Sequence, residues 1–207
     1  GLGYLAITDH SQAVRVANGL DADRLARQID AIDELNEQLD GITLLKSVEV
    51  DILEDGRLDL PNEVLARLDL TVCSIHSRMN LAGDKQTTRV LKAMENPNFT
   101  ILGHPTGRLL GERAGYDLDM ERVIEQARQG GHLLEINAQP ARLDLDDTYA
   151  KMARDAGVKL SIATDAHAGA HLDLMRCGVD QARRAWLTAD DVINTRCLKA
   201  LRPLLQA

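Results

Sequence analysis

The chain has 207 residues, which predicts one domain, and its formal net charge of −8 argues against bulk electrostatic attraction to nucleic acid. Hydrophobic residues make up 44% of the chain but aromatic residues only 2%, so the core must consist mainly of Leu, Ile, Val and Ala. The three cysteines (Cys73, Cys177, Cys197) form no CxxC pair and no long apolar span occurs, which excludes a disulfide scaffold, a structural zinc finger and membrane insertion, and indicates a reducing, cytoplasmic compartment.

Apolar runs and helical spacing alternate along the chain. The runs predict six strands, over residues 4–8, 42–48, 70–75, 99–102, 133–136 and 159–163. The spacing and the cap residues predict helices over 21–39 (with Asp21 as the N-cap), from Pro61, over 87–95, 119–129 and 147–156, and a mostly helical segment from His171 with a further helix capped at Thr188–Asp191. Strand–helix alternation of this kind predicts an α/β fold with a parallel sheet. Six strands are too few for a standard eight-stranded barrel, so we expect a barrel with a strand missing before Gly1.

Acidic and histidine residues follow these strands where each strand ends. The segments are Thr8–His10, Val48–Asp51, Ser74–Ser77, Gly103–Pro105 and Thr164–His167. In a parallel α/β barrel all strand C-termini point to one face, so these side chains should converge in one pocket. Converging His, Asp and Glu side chains are typical ligands of divalent transition metals. The sequence therefore predicts a metal site at this face.

The strongest signals for metal ligands are Glu49 and the pair Asp165 and His167. Glu49 follows an apolar strand, where an unpaired carboxylate would be costly to bury, and we favour it over Asp51 as a ligand that bridges two metals. An ion pair with an arginine is the alternative. Asp165 and His167 are two residues apart, so an extended backbone directs them to the same side, toward adjacent metal ions.

The remaining histidines are weaker signals. His76 and His104 each end a strand and are predicted ligands, although a hydrogen-bonded core histidine or a turn histidine would give the same pattern. His10 is assigned to the metal and its neighbour Asp9 to orienting an adjacent group. His132 precedes its strand, at the opposite end from the ligands, and is interpreted as structural.

Three further residues, Arg108, Glu135 and Trp186, are interpreted individually. Arg108 follows His104 closely and suits bidentate recognition of a phosphate, with a surface salt bridge as the equal alternative. Glu135 lies within a strand and is interpreted as supporting the ligands or pairing with Arg142. Trp186 is interpreted as a packing residue.

Several stretches together resemble a known family. They are Ile7–Ser11, Gly103–Leu110, Glu135–Ala138 with Pro140, Arg142, Leu143 and Asp144, Asp165–His167, and Ala182–Leu187. The chain resembles the polymerase and histidinol phosphatase (PHP) domain, and within that family the C-terminal domain of bacterial family X DNA polymerases. The resemblance implies a distorted TIM-like (βα)7 barrel that lacks its first strand and helix in this chain.

The resemblance also implies a site of up to three divalent metal ions, manganese or zinc, with iron as a further candidate. By motif, His10 and His167 serve one metal, Glu49 bridges two, His76 and His104 complete one of these, and Asp165 contributes to the other. Glu49, His76 and Asp165 are the predicted catalytic residues, and Arg108 and Arg142 are the candidates for gripping the substrate phosphate.

The function implied is hydrolysis of phosphoesters by a PHP domain spanning residues 1–207 and incomplete at its N-terminus. PHP domains attached to family X polymerases act as a 3′–5′ exonuclease or in DNA 3′-end processing, and the resemblance therefore implies DNA 3′ ends as substrate, an N-terminal polymerase domain as partner, and no membrane. The family's first His-x-His motif is absent. Two alternatives therefore stay open: a phosphatase acting on a small phosphomonoester such as histidinol phosphate, and a non-catalytic metal-binding module that supports a polymerase.

Overall fold

The computed structural model describes residues 1–205, and within them short parallel strands alternate with helices as predicted. The seven strands are β1 (Tyr4–Ile7), β2 (Thr43–Lys46), β3 (Glu49–Asp51), β4 (Val72–Ser74), β5 (Ile101–Leu102), β6 (Leu133–Asn137) and β7 (Leu160–Ala163). The seven α-helices are α1 (Ala22–Asn36), α2 (Asn62–Leu65), α3 (Gly83–Ala93), α4 (Met120–Gly130), α5 (Asp147–Asp155), α6 (Met175–Arg184) and α7 (Leu198–Leu201). The predicted α/β class is therefore confirmed.

The strands form two parallel sheets, and this corrects the predicted count of six. β2 pairs with β1, whereas β3 pairs with β4 in the five-stranded sheet β3-β4-β5-β6-β7. The run 42–48 was predicted as one strand followed by Glu49, but β2 already ends at Lys46 and a separate strand, β3, begins at Glu49. A single bridge between His10 and Glu49 keeps the register of β1 and joins the two sheets. Glu49 consequently lies where the two sheets meet.

Local sequence signals place the helix ends. Asp21 is the N-cap of α1, where its Oδ1 accepts a hydrogen bond from the Arg24 backbone N at 2.8 Å, as predicted. Asp119 caps α4 in the same way. Gly131 ends α4 with φ at 71°, a left-handed conformation that glycine adopts without steric cost.

Two helix predictions were wrong. α3 begins at Gly83, four residues before the predicted start at Thr87. The Thr188–Asp191 segment caps no α-helix, because the Asp191 carboxylate accepts hydrogen bonds from the backbone N and Oγ1 of Thr188 and closes a turn instead. The next α-helix is α7. The pattern of a capping box therefore occurs here in a turn.

The sheet does not close within residues 1–205. The edges of β1 and β7 face a cavity of about 1300 Å³, which extends from the predicted ligands to apolar side chains at the opposite end of the strands. Most of the core lies between the strands and the helices and consists of Leu, Ile, Val and Ala, with Phe99 as its aromatic member. None of the helices in the described part of the chain is long and apolar enough to cross a bilayer.

A buried arginine ties the loops at the C-terminal ends of β3 and β4. Arg89, on α3, is only 2% exposed. Its guanidinium donates hydrogen bonds to the carbonyl of Leu53 at 2.9 Å, to that of Ser77 at 2.9 Å, and to that of Ile52. Because Ser77 directly follows His76, this side chain fixes the loop that carries one predicted ligand.

We expect Arg89→Met to lower the free energy of unfolding by about 3 kcal/mol, because buried carbonyl groups lose charge-assisted hydrogen bonds. Urea denaturation monitored by circular dichroism measures the change. Arg57→Met is the matched control, since the Arg57 side chain is exposed and pairs with Asp55 alone, and it should change stability by less than about 0.5 kcal/mol. Equal losses in the two variants would contradict the role assigned to Arg89.

Candidate metal centre

Side chains from five strand ends converge on one pocket of about 270 Å³. His10 follows β1, Glu49 begins β3, His76 follows β4, His104 follows β5, and Asp165 follows β7. The pocket brings together all six predicted metal ligands and Arg142, and it is lined by His10, Val14, Val16, Ala17, Glu49, His76, His104, Arg142, Asp165 and His167.

The carboxylate of Glu49 is the centre of this cluster. Its Oε1 lies 3.2 Å from Nε2 of His76 and 3.0 Å from Nε2 of His104, and its Oε2 lies 3.3 Å from Nδ1 of His10. The His76 ring packs edge-on against the His10 and His104 rings, with centroids 5.0 and 5.1 Å apart. Three imidazole nitrogens therefore face one carboxylate that is almost completely buried.

The donor set fits a divalent transition metal. One ligand atom each from His10, Glu49 and His76 lies within 4.8 Å of the other two. Ligand atoms at about 2.1 Å from a tetrahedral ion are about 3.4 Å apart, which is close to the separations observed around Glu49. The buried Nδ1 of His10 makes no hydrogen bond within residues 1–205, as expected for an atom that would bind an ion.

The electrostatics of the cluster depend on the same contacts. Burial by itself would raise the pKa of Glu49, but hydrogen bonds from His104 and His76 outweigh burial and hold that pKa well below its ordinary value. For His76, burial favours the neutral ring, yet hydrogen bonds to Asp51 and Glu49 raise the pKa to about 9. Glu49 is thus ionised, and a cation bound there would compete with the proton of His76.

Asp51 holds the ring of His76. This carboxylate is buried and hydrogen-bonded to Nδ1 of His76, so the Nε2 atom of the ring is directed toward Glu49. Its own backbone N donates a hydrogen bond to Ser11 Oγ at 2.9 Å. The sequence favoured Glu49 over Asp51, and the structure puts Glu49 at the centre with Asp51 behind a histidine. The signal was the two-residue spacing, which directs both carboxylates to one side of β3.

Glu135 is a second buried carboxylate beside the ligands. Its Oε2 accepts hydrogen bonds from the backbone N of His104 at 2.5 Å and from Nδ2 of Asn137 at 3.4 Å. Burial raises the pKa of Glu135 to about 8, and the nearby charges of Glu49 and Asp165 add to the rise. Glu135 therefore supports the His104 loop, one of its two predicted roles, and the structure shows no ion pair with Arg142 within the described residues.

Asp165 and His167 form the outer side of the pocket. Asp165 Oδ2 accepts a hydrogen bond from Asn137 Nδ2 at 3.2 Å and lies 3.7 Å from Nε of Arg142. The His167 side chain is 65% exposed, with its ring centroid 6.3 Å from that of His10. This side is more open to solvent than the side around Glu49.

The two predicted phosphate-binding arginines have different positions. Arg142 lines the pocket, but Arg108 does not. The guanidinium of Arg108 donates to the carbonyl of Arg142 at 2.9 Å and to that of Leu143, and it lies 3.5 Å from Asp146. Arg108 was expected to bind the substrate phosphate. In the structure its guanidinium instead holds the loop after β6, because two backbone carbonyls of that loop accept its hydrogen bonds.

Asp9 and His171 also differ from the sequence analysis. Asp9 was expected to orient a neighbouring group at the site, yet its carboxylate is exposed and hydrogen-bonded to Gln28. His171 was given no role, and its Nδ1 accepts a hydrogen bond from the backbone N of His167 at 3.2 Å. No local motif marks His171, because the contact depends on the helical turn formed by Gly169–Leu174.

His132 and Trp186 lie outside the pocket, and the sequence analysis gave both of them structural roles. His132 lies at the opposite end of the sheet, with Nδ1 2.9 Å from the carbonyl oxygen of Phe99 and its ring against the Phe99 ring, which agrees with a structural role. Trp186 is 75% exposed, so its interpretation as a packing residue was wrong. It follows the end of α6 with φ at 60°, and this backbone turn directs the side chain away from the core.

We expect Glu49→Gln to reduce the affinity for Mn²⁺ or Zn²⁺ at least about tenfold, because the change removes the central negative charge and keeps the size of the side chain. Elemental analysis of the purified chain after metal loading and desalting measures bound metal. Glu54→Gln is the control, since Glu54 is exposed and pairs with Arg78 outside the pocket. Unchanged metal content in Glu49→Gln would show that ions bind elsewhere.

Comparison with known proteins finds relatives over the whole chain. A protein of Bacillus subtilis named "DNA polymerase/3′-5′ exonuclease PolX" is 46% identical over 206 residues, which is 100% of this chain and 36% of that protein. A "Probable phosphatase" of Thermoanaerobacter sp. is 30% identical over 205 residues, covering 94% of this chain and 79% of the relative. A "Probable phosphatase" of Clostridium acetobutylicum is 33% identical over 135 residues, or 61% and 53% of the two chains.

The chain thus spans about a third of the length of its polymerase relative but most of the length of the Thermoanaerobacter phosphatase. No family model matches the chain.

Proposed function

The chain belongs to the polymerase and histidinol phosphatase (PHP) family and resembles the C-terminal part of bacterial family X DNA polymerases, and from this premise we propose that it is a metal-dependent 3′–5′ exonuclease or DNA 3′-end processing domain. The coarser activity, hydrolysis of phosphoester bonds, is common to the names of both kinds of relative. The observation that carries the proposal is the buried Glu49 carboxylate faced by His10, His76 and His104.

In this proposal the metal ions would be held by Glu49 together with His76 and His104, which face its Oε1, and with His10, which faces its Oε2. Asp165 and His167, on the outer side of the pocket, would complete the set of ligands. Up to three ions, manganese, zinc or iron, suit these nitrogen and carboxylate donors. When bound, such ions lower the pKa of a coordinated water to about 7 and neutralise charge on the phosphate oxygens.

The remaining roles belong to side chains of the pocket. Glu49, His76 and Asp165 are the proposed catalytic residues because all three line the one pocket in which the predicted ligands converge. Arg142 is the proposed phosphate ligand, since its guanidinium lies at the pocket and is held 3.7 Å from Asp165. Arg108 is proposed as a positioning residue. Its guanidinium donates to the backbone carbonyl of Arg142 and so fixes the loop that carries Arg142.

We also propose that residues 1–207 form most of a distorted TIM-like (βα)7 barrel and that a further strand–helix unit completes it. The support is the cavity of about 1300 Å³ lined by residues of β1 and β7, which are outer strands of the two sheets and do not pair with each other within residues 1–205. In a longer protein of the PolX type, this domain would follow a polymerase domain, since the chain corresponds to 36% of that relative.

Hydrolysis of a small phosphomonoester is the second candidate function, and the similarity to proteins named phosphatases favours it. The two candidates separate when the chain is assayed with Mn²⁺ on a 5′-labelled single-stranded oligonucleotide and on glycerol phosphate. Stepwise shortening from the 3′ end, suppressed by EDTA, supports the exonuclease. Release of inorganic phosphate from glycerol phosphate with an intact oligonucleotide would contradict the proposal and support the phosphatase.

We expect His104→Ala to reduce hydrolysis at least about a hundredfold, because it removes the imidazole that lies 3.0 Å from Glu49 Oε1. The initial rate of oligonucleotide shortening measures the loss, and circular dichroism reports whether the variant is folded. His132→Gln is the control, since His132 lies at the other end of the sheet, and it should retain activity. A folded His104→Ala variant with undiminished activity would exclude His104 as a ligand.

A further inference from the structure

The loop after β1 forms an apolar wall beside the metal pocket. We call Val14, Val16 and Ala17 the valine wall; all three line the same pocket as the ligand side chains and Arg142. Val16 is 97% exposed, which is the highest exposure among the large hydrophobic residues within residues 1–205. A hydrophobic side chain so exposed at the entrance of a polar site has no packing role within the described residues, which points to contact with a ligand.

The backbone that presents this wall is fixed at both ends. The backbone N of Leu20 donates to the His10 carbonyl at 2.7 Å, and Ser11 and Leu20 form a bridge. Gly19 lies so close to Ser11 that a Cβ there would be 1.9 Å from the Ser11 carbonyl oxygen. The exposure of Val16 is therefore a property of a closed loop and not of a free segment.

Side chains from elsewhere hold the same loop. Nη1 of Arg24 donates to the carbonyls of Asn18 and Gly19, both at 2.9 Å. The carboxylate of Asp59 accepts a hydrogen bond from the backbone N of Ala13 at 2.6 Å. A wall that is ordered before binding loses little conformational entropy when a ligand contacts it, so its apolar area contributes fully to affinity.

We propose that the valine wall receives the nucleobase of the 3′-terminal nucleotide while the adjacent phosphoester lies between Glu49 and Arg142. This inference rests on the proposed exonuclease function and adds the residues that select a nucleotide over a small phosphomonoester. A base has an apolar face that β-branched side chains can cover, whereas glycerol phosphate has none. Because the wall and the ligands share one pocket, a single nucleotide can contact both.

The charge next to the wall fits the same ligand. Arg15 lies between Val14 and Val16 in the chain and is exposed, and its side chain makes no hydrogen bond or ion pair within residues 1–205. A guanidinium in this position can bind the phosphate of the next nucleotide. In a chain with a net charge of −8, such a cation opposes the general repulsion of a polyanion.

The test compares two oligonucleotides that differ only in whether the 3′-terminal residue carries a base or is abasic. Binding to the 207-residue chain is measured by fluorescence anisotropy with Ca²⁺. We expect Val16→Ser to raise Kd for the base-bearing end about fivefold to tenfold, as expected for partial loss of a buried valine contact, and to leave Kd for the abasic end unchanged. With Mn²⁺, KM for the base-bearing end should rise while kcat is retained.

Leu39→Ser is the matched control, because Leu39 is also an exposed hydrophobic residue but lies outside the pocket, and it should change neither Kd. Equal weakening of both ends by Val16→Ser, or no weakening of either, would overturn the inference. Failure of the exonuclease proposal has a different signature, namely no shortening of either oligonucleotide by the unsubstituted chain. The binding comparison decides the role of the wall in that case as well.

Discussion

One buried carboxylate, Glu49, determines how the strand ends of this protein are arranged. A carboxylate so little exposed to water is costly unless positive charge or hydrogen-bond donors surround it. Here the donors are imidazole rings from three separate strand ends, and they reach Glu49 because parallel strands bring their C-termini to one edge. The break between β2 and β3 serves the same arrangement, since it places Glu49 where the two sheets meet and where His10 can pair with it.

A second layer of polar contacts keeps those rings in place. Asp51 orients the ring of His76, and Glu135 accepts a hydrogen bond from the backbone N of His104. Arg89 donates to the carbonyl of Ser77 and so fixes the loop that follows His76. On the other side, Arg108 clamps the loop that carries Arg142. None of these four contacts lies within one helix or one hairpin. The site therefore depends on tertiary structure, and its geometry would be lost with local unfolding of any one of these loops.

The sequence was informative where a signal is local. The helix cap at Asp21 was readable because a cap depends on residues three positions apart, and the ligand-bearing segments were readable because each follows its own strand. The break before Glu49, the inward turn of Arg108 and the outward turn of Trp186 were not readable. Each depends on which distant backbone groups are nearby, and a single sequence does not encode that as a short pattern. Whether the sheet closes could not be read from the sequence for the same reason, because closure depends on contacts between the first and last strands.

The charges in the pocket explain why cations and a phosphate substrate belong together. Glu49 and Asp165 are acidic residues of the pocket, with Asp51 behind them, while Arg142 and His76, whose pKa is raised to about 9, bring positive charge to it in the absence of a metal. Burial raises the pKa of Glu135 to about 8, so this carboxyl adds little negative charge at neutral pH. Even so, a phosphate group would meet net repulsion unless metal ions or protonated histidines reversed the local charge. Bound divalent cations would reverse this local charge and would also lower the pKa of a coordinated water, so the same ions would serve both phosphate binding and hydrolysis.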